Sequence, residues 1–253
     1  MSSRAGQLEL TGRVQWVNGG GSGRGGRAAD TWMRAGARVV GVARRAEVVN
    51  DWAEAADGKA AARASDVADL EGMGDLACHV SDPFGPPDIL VTAAGINTRE
   101  TADDVTIGGW TTTLNLNLAA PFFLAQELVP AMKAKGWGRI LNFASLQTTR
   151  AFPGGLAYGA SKGGIAQLTR AMAEAWSSHG ITANAIGPGF FKTELTGPVF
   201  DDPDRAARNA AQTCIGRNGE MEDIDGPILF FCSDASQYVT GQVLMVDGGY
   251  TAK

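Results

Sequence analysis

The stretch VQWVNGGGSGRGG, residues 14–26, places a short apolar run directly before a cluster of glycines. The run has the length and composition of a buried strand, and a helical pattern follows the glycines. Glycine permits a tight turn at this point and lets backbone N–H groups approach a pyrophosphate at the start of the helix. A flexible glycine-rich turn is the alternative, but the position between the first strand and the first helix favours a nucleotide-binding turn.

Outward from this stretch, β-branched runs alternate with longer helical segments, with no repeat, linker or low-complexity block. This alternation predicts the α/β class, with a single doubly wound (Rossmann-type) parallel sheet and helices on both faces. An eight-fold barrel is less favoured, because its phosphate site usually comes late in the chain. We expect one domain over residues 1–253. The predicted strands are 14–17, 38–42, 61–65, 89–92, 139–144, 181–186 and 243–246, and the predicted helices are 24–35, 47–56, 110–135, 158–178 and 223–232.

The composition excludes several classes of protein. A net charge of −5 over 253 residues, with a pI near 5.1, argues against a nucleic-acid partner. No run of about 18 apolar residues predicts a membrane span, and the N-terminus lacks the apolar core of a signal peptide. The three cysteines and two histidines lack metal-ligand spacing. We therefore expect no metal site and a reducing, cytoplasmic location.

Tyr158 and Lys162 lie four residues apart in a predicted helix, and Ser145 lies upstream of them. Side chains at this spacing share one helix face. Free tyrosine, with a pKa of about 10, is a poor proton donor at neutral pH. A neighbouring cation favours the phenolate and lowers that pKa, and a serine hydroxyl could hold a substrate oxygen beside the phenol. A chance surface pair of tyrosine and lysine is the alternative, so the interpretation depends on the other motifs.

The end of the second predicted strand bears on the choice of cofactor. NAD-binding sheets usually carry an acid there for the ribose 2′-hydroxyl, whereas NADP-binding sheets use a nearby arginine. Here Ala43 stands where the acid would be, and Arg44 and Arg45 follow. Because a guanidinium can bind a 2′-phosphate bidentately, the sequence favours NADP over NAD, with Arg44 as the phosphate contact. Solvated charges at a helix entry are the alternative.

In combination, these motifs resemble those of the short-chain dehydrogenase/reductase family, and the likeness spans nearly the whole chain. The glycine turn is similar to the family's cofactor loop, and Ser145, Tyr158 and Lys162 match its catalytic residues. Further matching positions are Asp66 with Val67, Asn117, Pro188 with Gly189, Thr193, and Val246 to Gly249. Several motifs in the family's order are far more specific than any one of them.

The resemblance implies roles for these residues. Tyr158 would exchange the proton with the substrate oxygen, and Ser145 would orient that oxygen. Lys162 would lower the pKa of the tyrosine and hold the nicotinamide ribose, and Asn117 would support a proton-relay water. A homotetramer or homodimer, paired partly through the two long helices, would be the assembly. The implied cofactor contacts are Gly19, Gly21, Ser22, Gly23, Arg24, Gly25, Arg44, Asp66, Val67, Ala93, Gly95, Tyr158, Lys162, Pro188, Gly189, Phe191 and Thr193.

The chain also departs from the family pattern. Asn18 replaces the usual threonine, and Arg24 stands between two motif glycines in place of a small aliphatic residue. Ala93 replaces an asparagine that ties neighbouring strands, which predicts a loss of stability rather than of chemistry. Gln15 lies in a strand that should be uniformly apolar. If it is buried without a partner, its amide costs about 1–3 kcal/mol.

Three segments should form the substrate pocket: residues 146–152, residues 190–191 and the variable stretch 195–210. The expected substrate contacts are Gln147, Phe152, Phe190 and Leu195, with Val199 and Phe200 adding apolar surface. Arg150 could meet a substrate carboxylate, although a solvated loop position is favoured for it. Residues 193–215 are expected to form a lid, within which Asp202 and Pro203 open a helix.

The sequence therefore predicts an NADP-preferring oxidoreductase that interconverts a secondary alcohol and a ketone. Its expected partner is a small-molecule substrate, a carbonyl or alcohol compound. Around residues 145–147 and 188–195 the chain looks most like gluconate-type sugar-acid dehydrogenases, so a sugar-acid or polyol dehydrogenase using NAD is an alternative. A cofactor-binding protein without turnover is a rival from another class. The intact set of Ser145, Tyr158, Lys162 and Asn117 argues against it. A halohydrin-cleaving enzyme without nicotinamide is disfavoured by the glycine turn.

Overall fold

The computed structural model describes residues 4–20 and 23–253, and the side chains of Arg4, Ala5 and Arg24 are also outside this description. Seven strands form one sheet in the order β3-β2-β1-β4-β5-β6-β7, and every paired strand is parallel to its neighbour. The strands are β1 (Val14–Asn18), β2 (Arg38–Ala43), β3 (Ala60–Ala64), β4 (Ile89–Thr92), β5 (Gly138–Phe143), β6 (Ile181–Pro188) and β7 (Val243–Val246). The predicted fold class is confirmed, and the strand ends differ from the predicted ones by at most two residues.

Helices cover both faces of the sheet. The helices are α1 (Gly23–Arg34), α2 (Ala46–Glu54), α3 (Met73–Ser81), α4 (Ile107–Leu114), α5 (Ala120–Lys135), α6 (Leu156–Trp176), α7 (Gly197–Phe200), α8 (Pro203–Gln212) and α9 (Asp225–Cys232). Helices α3, α5 and α6 pack on one face around Trp16, Leu90 and Ile140. Helices α1 and α9 pack on the other face around Val17 and Leu141. No helix in the described ranges is long and apolar enough to cross a bilayer.

Helix α3 has no counterpart among the predicted helices, although its sequence carries the signal. Met73, Leu76, Ala77 and Val80 recur at helical spacing, and all four are buried against α5. The predicted helix at 110–135 starts three residues earlier, because Thr106 caps α4 by accepting a hydrogen bond of 2.9 Å from the Gly109 amide. It is also interrupted by one π-helical turn, Asn115–Ala119, between α4 and α5.

Gln15 lies in the central strand, paired with Val39 on one side and Ile89 on the other, and is 0% exposed. Both polar atoms of its side chain are buried without a hydrogen-bond partner among the described residues. An unsatisfied buried amide of this kind costs about 1–3 kcal/mol, whereas an apolar side chain of similar size has no such cost. The sequence-based concern about this residue therefore applies to the folded protein.

Gln15→Val is expected to raise the free energy of unfolding by about 1–3 kcal/mol, since valine suits a central strand and has no amide to satisfy. Urea denaturation of both proteins measures the change. Gln15→Ala, which also removes the amide but leaves a cavity, should gain less or lose stability. A lower midpoint for Gln15→Val would mean that the amide has a stabilising partner.

Candidate active site

A cleft with a volume of about 450 Å³ opens at the carboxyl ends of the strands, where the strand order reverses between β1 and β4. Ligands of doubly wound sheets bind at such a point. The turn after β1 forms its floor through Gly19, Gly20, Gly23 and Gly25. Gly21 and Ser22, two of the predicted cofactor contacts, lie outside the described residues, as does the side chain of Arg24.

The packing of this turn requires glycine. A Cβ added at Gly25 would lie 2.3 Å from the Gly19 carbonyl oxygen, and one at Gly20 would lie 2.8 Å from the Gly41 Cα. The backbone at Gly19, Gly20 and Gly25 is therefore close-packed and carries no side chain. Such a cradle fits a pyrophosphate held by backbone N–H groups, so the residues present suit a dinucleotide.

Asn18 ties the two strands that border the cleft. Its Oδ1 accepts a hydrogen bond of 2.9 Å from the amide of Ala94, which follows β4. Ala93 and Gly95, both expected to touch the cofactor, line the cleft beside this contact. Asn18 thus joins the end of β1 to the loop after β4 through its side chain.

The far end of the cleft is lined by Arg44, Arg45, Asp66 and Val67. The Arg44 side chain is exposed and makes no hydrogen bond or ion pair within the part of the chain that the structure describes. Arg45 instead pairs with Glu194 across the cleft at 3.0 Å. Of the two arginines, Arg44 is therefore the one whose guanidinium has no protein carboxylate to neutralise it.

Tyr158 occupies the boundary between this cleft and a second, smaller pocket, and it lines both. The Lys162 Nζ lies 5.6 Å from the centroid of the tyrosine ring and donates a hydrogen bond of 2.6 Å to the Phe143 carbonyl oxygen. Both residues are buried, one turn apart on α6, which begins at Leu156. The pair predicted from spacing therefore lies inside the site and not on the helix surface.

Ser145 follows β5 and lines the second pocket together with Tyr158. Its Oγ accepts a hydrogen bond of 3.2 Å from the Gln147 amide, and its own amide donates to the Thr148 Oγ1. The Thr148 hydroxyl in turn donates to the Lys162 carbonyl oxygen at 3.2 Å. These bonds fix the serine loop on helix α6, so that Ser145 and Tyr158 have a defined separation.

Asn117 lies in the π-helical turn and is buried. Its Oδ1 accepts from the Ile96 amide and its Nδ2 donates to the Ile96 carbonyl oxygen, both at 2.9 Å. The Nδ2 also donates to the Ser161 Oγ at 3.1 Å. A π turn rotates the residues that follow it relative to a regular helix and is frequent at functional sites. Asn117 thereby joins the loop after β4 to helix α6.

The second pocket has a volume of about 110 Å³. It is lined by all four residues predicted to contact the substrate, Gln147, Phe152, Phe190 and Leu195, and is called the substrate pocket below. The rings of Phe152 and Phe190 pack with Tyr250, at centroid distances of 6.3 and 5.7 Å. Burial raises the pKa of Tyr250, although the charge of Arg150 opposes this effect. The Gln147 Oε1 is buried without a hydrogen-bond partner among the described residues, and it lies close to Gly155, where an added Cβ would be 2.1 Å from it.

Three of the residues that were predicted to contact the cofactor do not line the cofactor cleft. Pro188 and Gly189 line the substrate pocket and not the cofactor cleft. The Phe191 ring, 1% exposed, reaches neither: it packs in the core against Gly219, where an added Cβ would lie 2.6 Å from the ring. Burial of a large aromatic ring in the core is more favourable than its exposure to a polar cleft. Thr193, in contrast, lines the cleft as predicted.

Two arginines of the substrate pocket were not among the predicted contacts. Arg99, with a positive φ of 57°, lines the pocket and donates a hydrogen bond of 2.7 Å to the Leu195 carbonyl oxygen. Arg205 reaches the pocket from α8. Arg150 does not line it: its guanidinium bonds the Lys253 carbonyl oxygen and lies 5.7 Å from the centroid of the Tyr250 ring. The position of Arg99 shortly after β4 is the signal that could have identified it.

In the described ranges, no group of three or more histidine, cysteine or acidic side chains could hold a metal ion. The open parallel sheet, the glycine cradle at its switch point and a buried tyrosine–lysine pair beside it define a dinucleotide-dependent oxidoreductase site.

Comparison with known proteins agrees with this class. A family model described as enoyl-(acyl carrier protein) reductase matches residues 20–251. The gluconate 5-dehydrogenase of Gluconobacter oxydans is 36% identical, and the galactitol 2-dehydrogenase (L-tagatose-forming) of Cereibacter sphaeroides is 35% identical. The matches cover 96% of this chain in both cases and 96% and 97% of those proteins. A solved gluconate 5-dehydrogenase from Burkholderia cenocepacia, in complex with NADP and tartrate, is 33% identical with a TM-score of 0.93 and covers 98% of each chain.

The chain therefore belongs to the short-chain dehydrogenase/reductase family. It is an NAD(P)-dependent oxidoreductase of that family.

Proposed function

We propose that this protein interconverts a secondary alcohol and a ketone, with NADP(H) as the preferred cofactor and Tyr158 as the general acid and base. The observation that carries the proposal is the place of Tyr158 on the wall shared by the cleft and the substrate pocket. A proton donor there touches a substrate whose reacting carbon faces the cofactor. One domain over residues 1–253, with a lid at 193–215, is part of the same proposal.

The chemistry divides between the bound cofactor and the chain. When bound, the nicotinamide supplies or accepts the hydride. The substrate oxygen lies between the Ser145 hydroxyl and the Tyr158 hydroxyl, so that Ser145 orients it while Tyr158 gives or takes its proton. The Lys162 ammonium, buried beside the ring, stabilises negative charge on the phenol oxygen. Asn117 is a positioning residue that holds the loop after β4 against α6 and supports proton relay.

The cofactor preference rests on the adenosine end of the cleft. Arg44 is exposed and has no protein partner among the residues described, so its guanidinium is available to a 2′-phosphate. No carboxylate occupies the end of β2, where one would repel that phosphate. The Burkholderia cenocepacia relative holds NADP, which supports the same choice. Gly19, Gly23 and Gly25 would hold the pyrophosphate.

Within this class, a sugar acid is the favoured substrate. Arg99 and Arg205 line the pocket, and their guanidinium groups suit a substrate carboxylate. Relatives that act on gluconate and galactitol, and the tartrate held by a gluconate 5-dehydrogenase, support a polar substrate over a purely apolar ketone. A homodimer or homotetramer paired through the long helices also belongs to the proposal, and exposed Ile107, Trp110 and Phe123 on α4 and α5 support it.

Initial rates of D-gluconate oxidation and of carbonyl reduction, with each cofactor in turn, test the proposal. We expect kcat/KM to be higher with the NADP couple than with the NAD couple. Arg44→Gln should lower kcat/KM with NADP by about 10- to 100-fold, the loss expected for one charge-assisted contact, and should leave the value with NAD nearly unchanged. Higher efficiency of the wild type with NAD, or equal losses with both cofactors, would refute the NADP preference.

A further inference from the structure

The substrate pocket has an unusual charge for this protein. The molecule carries a net charge of −5, yet the charged side chains that line the pocket are Arg99 and Arg205, and no carboxylate lines it in the described part of the chain. A pocket with positive charge and low-dielectric walls concentrates anionic ligands and repels cationic ones. The pocket wall therefore distinguishes substrates by charge as well as by shape.

The two arginines differ in the hydrogen bonds that their guanidinium groups already make. Arg99 donates a hydrogen bond of 2.7 Å to the Leu195 carbonyl oxygen, so it holds the start of the 193–215 segment in place. Arg205 has an exposed side chain that makes no hydrogen bond or ion pair with any residue the structure describes. Its guanidinium therefore keeps its full hydrogen-bonding capacity for a ligand.

The acidic residues near Arg205 do not neutralise it. Asp202 caps α8, its Oδ1 accepting a hydrogen bond of 3.0 Å from the Arg205 amide and not from the guanidinium. Asp201 and Asp204 are exposed, and neither lies within ion-pair distance of Arg205 or lines the pocket. The backbone of Arg205 is thus fixed by the helix cap while its side chain extends to the pocket.

We propose that Arg205 is the specificity-determining residue that binds a carboxylate of the substrate. The substrate class is a hydroxy acid or keto acid whose carboxylate lies away from the carbon that reacts beside Tyr158. This inference rests on the proposed function and deepens it. Helix α8 carries Arg205, and the Arg99 hydrogen bond to the Leu195 carbonyl oxygen holds the segment that leads into this helix.

The test compares Arg205→Gln, Arg205→Lys and the wild type on D-gluconate and on the uncharged D-glucitol, with NADP⁺ at saturation. Arg205→Gln should lower kcat/KM for D-gluconate by about 10- to 100-fold and for D-glucitol by less than about 2-fold. Arg205→Lys keeps the charge and should retain part of the preference. Arg208→Gln, one turn further along the exposed side of α8 and absent from the pocket wall, is the matched control and should behave as the wild type.

The outcomes separate this inference from the proposed function. An equal loss on both substrates, or no loss on D-gluconate, overturns the assignment of Arg205 while the oxidoreductase function stands. A wild type that oxidises D-glucitol but neither oxidises D-gluconate nor is protected by it against thermal unfolding overturns the carboxylate substrate class. A preference for D-gluconate that falls at high salt in the wild type and is absent in Arg205→Gln supports the proposal.

Discussion

Tyr158→Phe is expected to lower kcat/KM for D-gluconate oxidation by about 10²- to 10⁴-fold, the range that one general acid or base contributes. Phenylalanine keeps the packing of a ring that is only 7% exposed, but it has no hydroxyl to exchange a proton with the substrate oxygen. NADPH affinity should change little, since the glycine turn and Arg44 remain. Initial rates and a fluorescence titration with NADPH measure the two effects separately.

Tyr238→Phe is the matched control, because Tyr238 is fully exposed and lines neither pocket. It should leave rate and cofactor affinity at the wild-type values. Carbonyl reduction by Tyr158→Phe at an undiminished rate would assign the proton to another group. A loss of NADPH binding equal to the loss of rate would give the hydroxyl a cofactor-binding role in place of the catalytic one.

Gly25→Ala is expected to abolish protection by NADPH against thermal unfolding and to destabilise the protein by about 1–3 kcal/mol or more. The new methyl group would lie 2.3 Å from the Gly19 carbonyl oxygen and 2.8 Å from the carbon of the same group. Both are backbone atoms that cannot rotate away, so the turn after β1 must open. Thermal unfolding with and without NADPH measures both effects.

Gly108→Ala provides the control for this change, since nothing lies within 4 Å of a Cβ at that position on α4. It should stabilise the protein by up to about 1 kcal/mol and leave NADPH protection intact. If Gly25→Ala also retained full protection, the close-packed turn would not be where the pyrophosphate binds.

Much of the fold was predictable because its signals are local. Ile89–Thr92 is a continuous apolar run bounded by turn residues, and the structure begins and ends β4 at these same residues. The predicted ends of strands were less accurate where tertiary pairing sets them. Strand β6 continues to Pro188, because Gly187 and Pro188 pair with Met245 and Val246 of β7. No pattern within residues 181–188 predicts that pairing.

The site residues, like the strand ends, were predictable where the signal was local in sequence. Tyr158 and Lys162 were found because helical spacing brings them together, and the glycines were found because they are contiguous. Arg205 lies in the stretch 195–210 that was expected to form the pocket, and Arg99 lies after β4, more than 100 residues earlier. Each position points to the site, but no local pattern predicts that these two side chains line the same pocket. Phe191 shows the reverse case, in which proximity to Pro188 and Gly189 in sequence did not place its side chain at the cleft.

The tie between Asn18 and Ala94 joins residues 76 positions apart, and the Val14 amide donates to Asp88 over a similar interval. A chain that has formed β1, β2 and β3 therefore has one wall of the nucleotide cleft and no other. The rest of the cleft, which includes Gly95, Tyr158 and Thr193, forms only when β4 docks beside β1 and the later elements follow it, and such non-local pairing is intrinsically slow. NADPH binding during refolding would therefore appear only after these non-local elements have docked, and the nucleotide would stabilise the chains in which they have done so.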